Sequence, residues 1–130
     1  MLPTAQGADV YRRLHVESRT PIELVVMLYD GALTRVSEAR AAIERGDLHA
    51  FRYAIGRTLG IIGELQNTLD LKAGGPIATS LDNLYSFVTT GLMDASARES
   101  AVTLDGIETV LSTLRDAWLE ISSRTPGDAP

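Results

Sequence analysis

One stretch of this chain constrains its fold more than any other, residues 20–33, with the sequence TPIELVVMLYDGAL. Its start predicts a helix N-terminus: Thr20 can cap the first turn, Pro21 needs no N–H partner there, and Glu23 completes a capping box. The residues that follow are apolar around most of the helix, not along a single stripe. Such a helix must be covered on more than one side, either by other helices or by a binding partner.

Apolar residues recur at helical spacing in four segments of the chain. The predicted helices span about residues 21–44, 48–69 and 76–97, and the apolar stripe of a fourth runs from residue 107 to 121. Gly46 and Asp47 form a tight turn between the first two, and Gly74 and Gly75 lie in the turn before the third. Short turns between helices of similar length predict an all-α fold, an antiparallel up-down-up-down four-helix bundle.

The predicted bundle covers residues 20–122, between a polar N-terminal arm of residues 1–19 and a disordered tail of residues 123–130. The arm carries Val10, Tyr11 and Leu14 at the spacing of one helical turn. It either frays or docks on the bundle as a short segment, and docking is the preferred interpretation. The arm would then be a lid over part of the bundle.

The heptad-like spacing also predicts which side chains face inward. Trp118 of the fourth helix is assigned to the core, and Tyr85 lies off the seam of the third helix. The predicted inward residues of the third helix are Ile77, Leu81, Leu84, Val88, Leu92 and Ala95.

Three glycines, Gly56, Gly60 and Gly63, recur on one face of the second helix. Each lowers the stability of a helix by about 1 kcal/mol relative to alanine. Two explanations remain open: close packing against a neighbouring helix of the bundle, or a bare strip that receives a partner.

Composition argues against several classes of partner. The formal net charge is −5 and no Lys/Arg cluster occurs, which disfavours nucleic acid and anionic membrane. There is no cysteine, no apolar run of about 18 residues and no signal-peptide pattern at the start, so a cytoplasmic protein without membrane insertion is expected.

The sequence also lacks the motifs that are typical of catalytic or metal-binding sites. His15 and His49 are the two histidines of the chain, and neither follows a glutamate at the Glu-x-x-His spacing of a di-iron bundle. Gly74 and Gly75 precede a proline instead of the Lys-Ser/Thr of a phosphate loop. No catalytic residue, cofactor site or metal site is therefore predicted, and the chain is not expected to be an enzyme. A helix-binding module and a self-associating homodimer remain, and physical reasoning alone leaves the choice between them open.

Several short motifs in order along the chain resemble the FliS family of flagellin-specific export chaperones, over about residues 10–121. The strongest are the Met-Leu-Tyr-Asp-Gly run, the Leu-Tyr pair and the Arg-x-Ala-Trp run, each at the family's spacing. The matching segments are Tyr11, Thr20-Pro21-Ile22-Glu23-Leu24, Met27-Leu28-Tyr29-Asp30-Gly31-Ala32, Ile61-Ile62-Gly63-Glu64-Leu65, Thr68-Leu69-Asp70, Gly74-Gly75, Leu81, Leu84-Tyr85 and Leu114-Arg115-Asp116-Ala117-Trp118.

This resemblance implies an all-helical cytoplasmic chaperone that binds the disordered C-terminal segment of flagellin, prevents premature polymerisation and presents it to the flagellar type III export gate. A weak homodimer without a client is kept as the alternative. Among the candidate contact residues, Leu65 and Leu84 fit a core position better than a contact with flagellin. For Tyr29 and Tyr85, a core position and a contact with flagellin both remain possible interpretations. The full candidate set for flagellin contact is Tyr11, Leu24, Leu28, Tyr29, Ile61, Leu65, Leu84 and Tyr85.

Overall fold

The computed structural model describes residues 20–124, and no strand occurs within that range. Four helices account for it: α1 (Pro21–Glu44), α2 (Leu48–Asn67), α3 (Leu71–Arg98) and α4 (Leu104–Arg124). The all-α prediction is confirmed, and the predicted bounds of α1 match the structure. Helix α4 continues to Arg124, two residues beyond the expected end of the bundle.

The start of α1 is built as the sequence predicts. Thr20 is the N-cap residue, and its Oγ1 accepts a hydrogen bond from the backbone N–H of Glu23 at 3.2 Å. The same hydroxyl donates to the Glu23 carboxylate at 3.0 Å, while Pro21 occupies the first helical position. These local bonds hold the N-terminal end of α1 in place beside the groove described below.

The helices form a ring in which each one packs against its neighbours in the sequence, and α1 closes the ring against α4. The ion pairs Arg115–Asp30 and Arg40–Asp105 join α4 to α1. Because residue numbers rise along one helix as they fall along the other, α1 and α4 are antiparallel. Contacts of Gln66 with Asp82 and of Arg52 with Glu99 give the same relation between α2 and α3.

Helix α3 is interrupted near its start. Asp70 caps a single turn, Leu71–Gly74, by accepting from the backbone N–H of Ala73 at 3.0 Å. Gly75 then adopts φ 58° and ψ −138°, a conformation that side chains with a Cβ rarely reach, and Pro76 begins the long part of the helix. The predicted role of Pro76 as a helix start is therefore correct, but a helical turn replaces the expected simple loop before it.

The buried seam of α3 differs from the predicted one. Tyr85 is only 2% exposed, whereas Ile77, expected in the core, is 73% exposed. Leu81 and Leu84 are half-buried. The buried side chains are Ala78, Tyr85, Val88, Leu92 and Ala95. The shift has a tertiary cause, because α4 covers the predicted seam at one end of α3 and leaves it open at the other.

The spacing between α3 and α4 changes along their length. Near the turn that joins them they approach closely: a Cβ placed on Gly91 would lie 3.1 Å from Cδ1 of Ile107. The Thr103 hydroxyl also donates to the Gly91 carbonyl at 3.2 Å. Towards the start of α3 this contact is lost, and the pair makes the least extensive of the four helix–helix contacts. The bundle is therefore open on one side at this end.

The glycines of α2 do not serve close packing inside the bundle. Gly56 and Gly60 are exposed and Gly63 is half-buried. A Cβ placed on any of the three would meet no atom of another residue within 4 Å. The first explanation, close packing of these glycines against a neighbouring helix of the bundle, is therefore wrong. No residue in the range 20–124 occupies the space next to them.

Candidate partner-binding groove

The open end of the bundle holds an apolar groove of about 530 Å³ between α1, α3 and α4. Its α1 wall consists of Pro21, Leu24, Val25 and Leu28. Its α3 and α4 walls consist of Ile77, Ala78, Leu81, Tyr85 and Trp118. The lining is completed by Thr68, Leu69 and Asp70, between α2 and α3, and by Gly74 in the first turn of α3. We call this hollow the groove.

A second hollow of about 380 Å³, lined by residues of α3 and α4, adjoins the groove. It shares Ile77 and Leu81 with the groove, so Ile77 stands as a ridge between the two. Its remaining lining residues are Pro76, Ser80, Leu84 and Leu114. Together the two hollows expose a continuous strip of aliphatic surface on one side of the bundle, which is typical of a site that takes the apolar face of a helix.

Tyr85 and Trp118 line the groove, and Tyr29 is buried next to Tyr85. The hydroxyls of Tyr29 and Tyr85 lie 2.5 Å apart and share a hydrogen bond, and their ring centroids are 6.5 Å apart. Tyr29 is fully buried, whereas the Tyr85 side chain reaches the groove lining. Trp118 is half-buried: it packs against the core and also lines the groove, so its assignment to the core is only partly correct.

Burial dominates the protonation of the tyrosine pair. Removal from water disfavours the phenolate and raises the pKa of Tyr29 above its ordinary value, although interactions with Tyr85 and Trp118 partly oppose this. Burial raises the pKa of Tyr85 as well, and its hydrogen bond to Tyr29 acts in the same direction. Both hydroxyls therefore stay neutral at physiological pH and can act as hydrogen-bond donors.

The structure separates the predicted contact residues into three groups. Leu24, Leu28 and Tyr85 line the groove, and Leu84 lines the adjoining hollow. Tyr29 and Leu65 are fully buried beneath the surface. Ile61 lies between α1 and α2, where its Cδ1 would be 3.4 Å from a Cβ on Gly31. Tyr11 falls outside the described residues.

Sequence reasoning missed several groove residues. Ile77, Leu81 and Trp118 were assigned to the core because they fit helical seams, and nothing local indicates that α4 stops covering them. One signal was present: α1 has more apolar surface than one neighbouring helix can bury. That excess lies at Pro21, Leu24, Val25 and Leu28, where the groove opens.

Residues 20–124 contain no group of three histidine, aspartate or glutamate side chains placed to bind a metal ion. In the same range, no helix combines the length and the apolar character needed to cross a membrane.

Comparison with protein families matches nearly the whole chain. The model of the family described as flagellar protein FliS aligns with residues 4–125. The chain belongs to the FliS family. This is a family of chaperones and not of enzymes, in agreement with the predicted lack of catalytic activity.

Individual members of the FliS family also align with most of the chain. The flagellar secretion chaperone FliS of Salmonella typhimurium is 36% identical over 126 residues, 93% of each chain. FliSB of Pseudomonas aeruginosa is 32% identical over 116 residues, 86% of this chain and 92% of the relative. FliS of Vibrio cholerae is 30% identical over 117 residues. These relatives support a role for the chain as a chaperone in flagellar secretion.

Two motifs that carry the FliS resemblance meet in the structure. Asp30 of the Met-Leu-Tyr-Asp-Gly run accepts from Nε of Arg115, which precedes Ala117 and Trp118, at 2.7 Å. This bond raises the pKa of Arg115 and joins α1 to α4 directly beside the groove. The two motifs therefore meet where α1 packs against α4, and both helices contribute residues to the groove lining.

Proposed function

We propose that this chain is a cytoplasmic export chaperone that binds the C-terminal segment of flagellin in the groove. By covering that segment it prevents premature polymerisation, and it delivers flagellin to the flagellar type III export gate. The observation that supports this most directly is the limited contact between α3 and α4, which leaves an apolar groove of about 530 Å³ open on one side of the bundle.

The groove has the chemistry expected of a helix-binding site. Its walls are almost entirely aliphatic and aromatic, and they come from three helices that are held in place by the rest of the bundle. A partner helix with apolar residues at i, i+3, i+4 and i+7 would present one apolar face to such walls. A segment that is disordered alone and folds on binding can follow a surface of this kind, with part of the interaction energy offset by its lost entropy.

The first prediction concerns this binding. Full-length chain and the C-terminal segment of the cognate flagellin, about 40 residues as the family resemblance implies, should form a one-to-one complex. Circular dichroism of the mixture should show more helix than the sum of the separate components, because the segment orders as it binds. Calorimetry should give a negative heat-capacity change, since apolar surface is buried. Absence of binding at tens of micromolar would refute the proposal.

A homodimer is the alternative occupant of the groove. In that case a second copy of the chain would cover the apolar walls, and the molecular mass in solution would rise with protein concentration. Sedimentation of the chain alone, and with an excess of the flagellin segment, separates the two. A client-binding chaperone remains monomeric and gains only the mass of the segment.

We propose further that residues 1–18 act as a lid over the groove in the free protein. Pro21, the third residue after this segment's end at Ser18, is itself part of the groove wall. The segment is therefore tethered at the edge of the groove, and its apolar residues Val10, Tyr11 and Leu14 compete with a client at high effective concentration. Docking of the arm would lower the apparent affinity for flagellin, because the client must find the open fraction.

The second prediction follows from this lid. Deletion of residues 1–18 should speed association with the flagellin segment or tighten binding, and the free protein should become more prone to aggregation. Tyr11→Ala should show a smaller effect of the same kind, while Tyr53→Ala, at an exposed tyrosine of α2, serves as the control. Weaker binding after deletion, with unchanged solubility, would mean that the arm contacts flagellin instead.

A further inference from the structure

A single charged residue lines the groove. Of the described residues that line the groove and the adjoining hollow, only Asp70 has a charged side chain. Asp70 is exposed, and within residues 20–124 no basic side chain forms an ion pair with its carboxylate. Lys72, two positions further on, is exposed as well and lines neither hollow. The site is therefore mostly apolar, with one carboxylate that has no cationic partner.

Local hydrogen bonds hold Asp70 in place. It is the N-cap residue of α3, and its Oδ1 accepts from the backbone N–H of Ala73 at 3.0 Å. Its backbone carbonyl accepts from the N–H of Gly74, which also lines the groove, at 2.7 Å. The cap uses one of the about four acceptor positions of a carboxylate, so most of its capacity remains available. The charge therefore stays beside the groove and can still take a partner.

Thr68 is the other polar residue that lies between α2 and α3 and lines the groove. Its hydroxyl donates to the Leu65 carbonyl at 2.7 Å, so its one O–H is used while its oxygen can still accept. The Asp70 carboxylate has no hydrogen to donate. A client group that meets these two side chains must consequently supply the donors.

We propose that the groove selects a client helix with a lysine or arginine at the border of its apolar face, and that Asp70 pairs with this cation. The inference rests on the proposed function and adds a specificity-determining residue to it. A helix that covers the groove also removes water from Asp70, and an opposite charge is the best compensation for a carboxylate that loses water. Lysine and arginine carry only donors, and their aliphatic stems can lie along apolar walls while the charged group reaches the carboxylate.

Other client side chains suit Asp70 less well. A neutral donor such as serine or asparagine would form a hydrogen bond but leave the charge uncompensated. An aspartate or glutamate would be repelled, and the net charge of −5 of the chain adds to that repulsion. An entirely apolar helix would leave the carboxylate partly desolvated without any partner. Only a cation supplies both the opposite charge and the donors.

Asp70→Asn separates the charge from the cap. Asparagine caps a helix about as well as aspartate, so the first turn of α3 is retained while the charge is lost. In calorimetry of the full-length chain with the flagellin C-terminal segment, this variant should bind about tenfold more weakly than the wild type. The difference should shrink as salt is raised, because salt screens the attraction that the wild type provides. Thermal melts of the free variant show that the fold is retained.

Asp47→Asn is the matched control. Asp47 is the N-cap residue of α2, its side chain accepts from the backbone N–H of Ala50 at 3.0 Å, and it lines neither hollow. The substitution makes the same change of charge at the same kind of cap and should leave binding unchanged. Equal losses in the two variants would mean that net charge, and not a contact of Asp70, governs binding, and would overturn the inference.

The segment is then scanned by replacing each lysine and arginine with glutamine. One replacement should weaken binding to the wild type about tenfold and hardly affect binding to Asp70→Asn, in which the pair is already broken. Unchanged or tighter binding by Asp70→Asn, or the absence of any coupled position, would also overturn the inference while the proposed function stands. Failure of the wild type to bind would instead refute the proposed function.

Discussion

Ile77→Asp is expected to weaken binding of the flagellin segment about a hundredfold while leaving the stability of the free protein nearly unchanged. Ile77 is 73% exposed, so the bundle gains little from its side chain. It also forms the ridge shared by the groove and the adjoining hollow. A client helix seated there would bury the new carboxylate without a partner, at a loss of several kcal/mol.

Phe87→Asp provides the matched control for this variant. Phe87 lies on the same helix, is 66% exposed and lines neither hollow. The substitution introduces the same charge at a site of similar exposure. Calorimetry on both variants should show a loss of affinity for Ile77→Asp only. Similar losses in both would mean that the change in net charge, and not contact in the groove, controls binding.

The second large effect concerns stability. Replacing Gly56, Gly60 and Gly63 together by alanine should raise the free energy of unfolding by about 3 kcal/mol, because each alanine favours the helix by about 1 kcal/mol. The new Cβ atoms have room, since none would meet another residue within 4 Å. Thermal unfolding should show a Tm raised by roughly 10 °C or more.

Gly75→Ala is the informative counterpart to the triple variant. Space is also available at Gly75, but its φ of 58° strains any residue with a Cβ. This substitution should therefore lower the Tm, although it is the same chemical change. A stabilised Gly75→Ala protein, or a triple variant with unchanged unfolding, would show that backbone conformation does not govern these sites.

Helix boundaries could be predicted well because their causes are local. The Thr20 cap, the proline at position 21 and the glycine at position 46 act within a few residues of themselves, and the bounds of α1 followed from them. The start of α3 was harder to predict from the sequence. Asp70 favours a helical turn, whereas Gly75 favours a break in the helix. Neither preference by itself determines the conformation of the segment between them.

The candidate site was predictable only in part. The excess apolar surface of α1 predicted that this helix is covered on more than one side, by other helices or by a partner, and Leu24 and Leu28 of that surface line the groove. Periodicity placed Ile77 inside and Tyr85 off the seam, and both positions were wrong. Helical spacing identifies the apolar side of a helix but does not say how far along its length a neighbour covers that side.

The sequence by itself determined four helices, the N-cap of α1 and an α1 too apolar to be covered from one side, because hydrogen bonding within a turn and the 3.6-residue period are local properties. Only the tertiary structure decided where that apolar surface stays open. The close approach of Gly91 to Ile107 brings α3 and α4 together at one end. At the other end, Tyr29 and Tyr85 join α1 to α3 across 56 residues of sequence. Those contacts depend on the positions of whole helices, and the groove forms where α3 and α4 fail to meet.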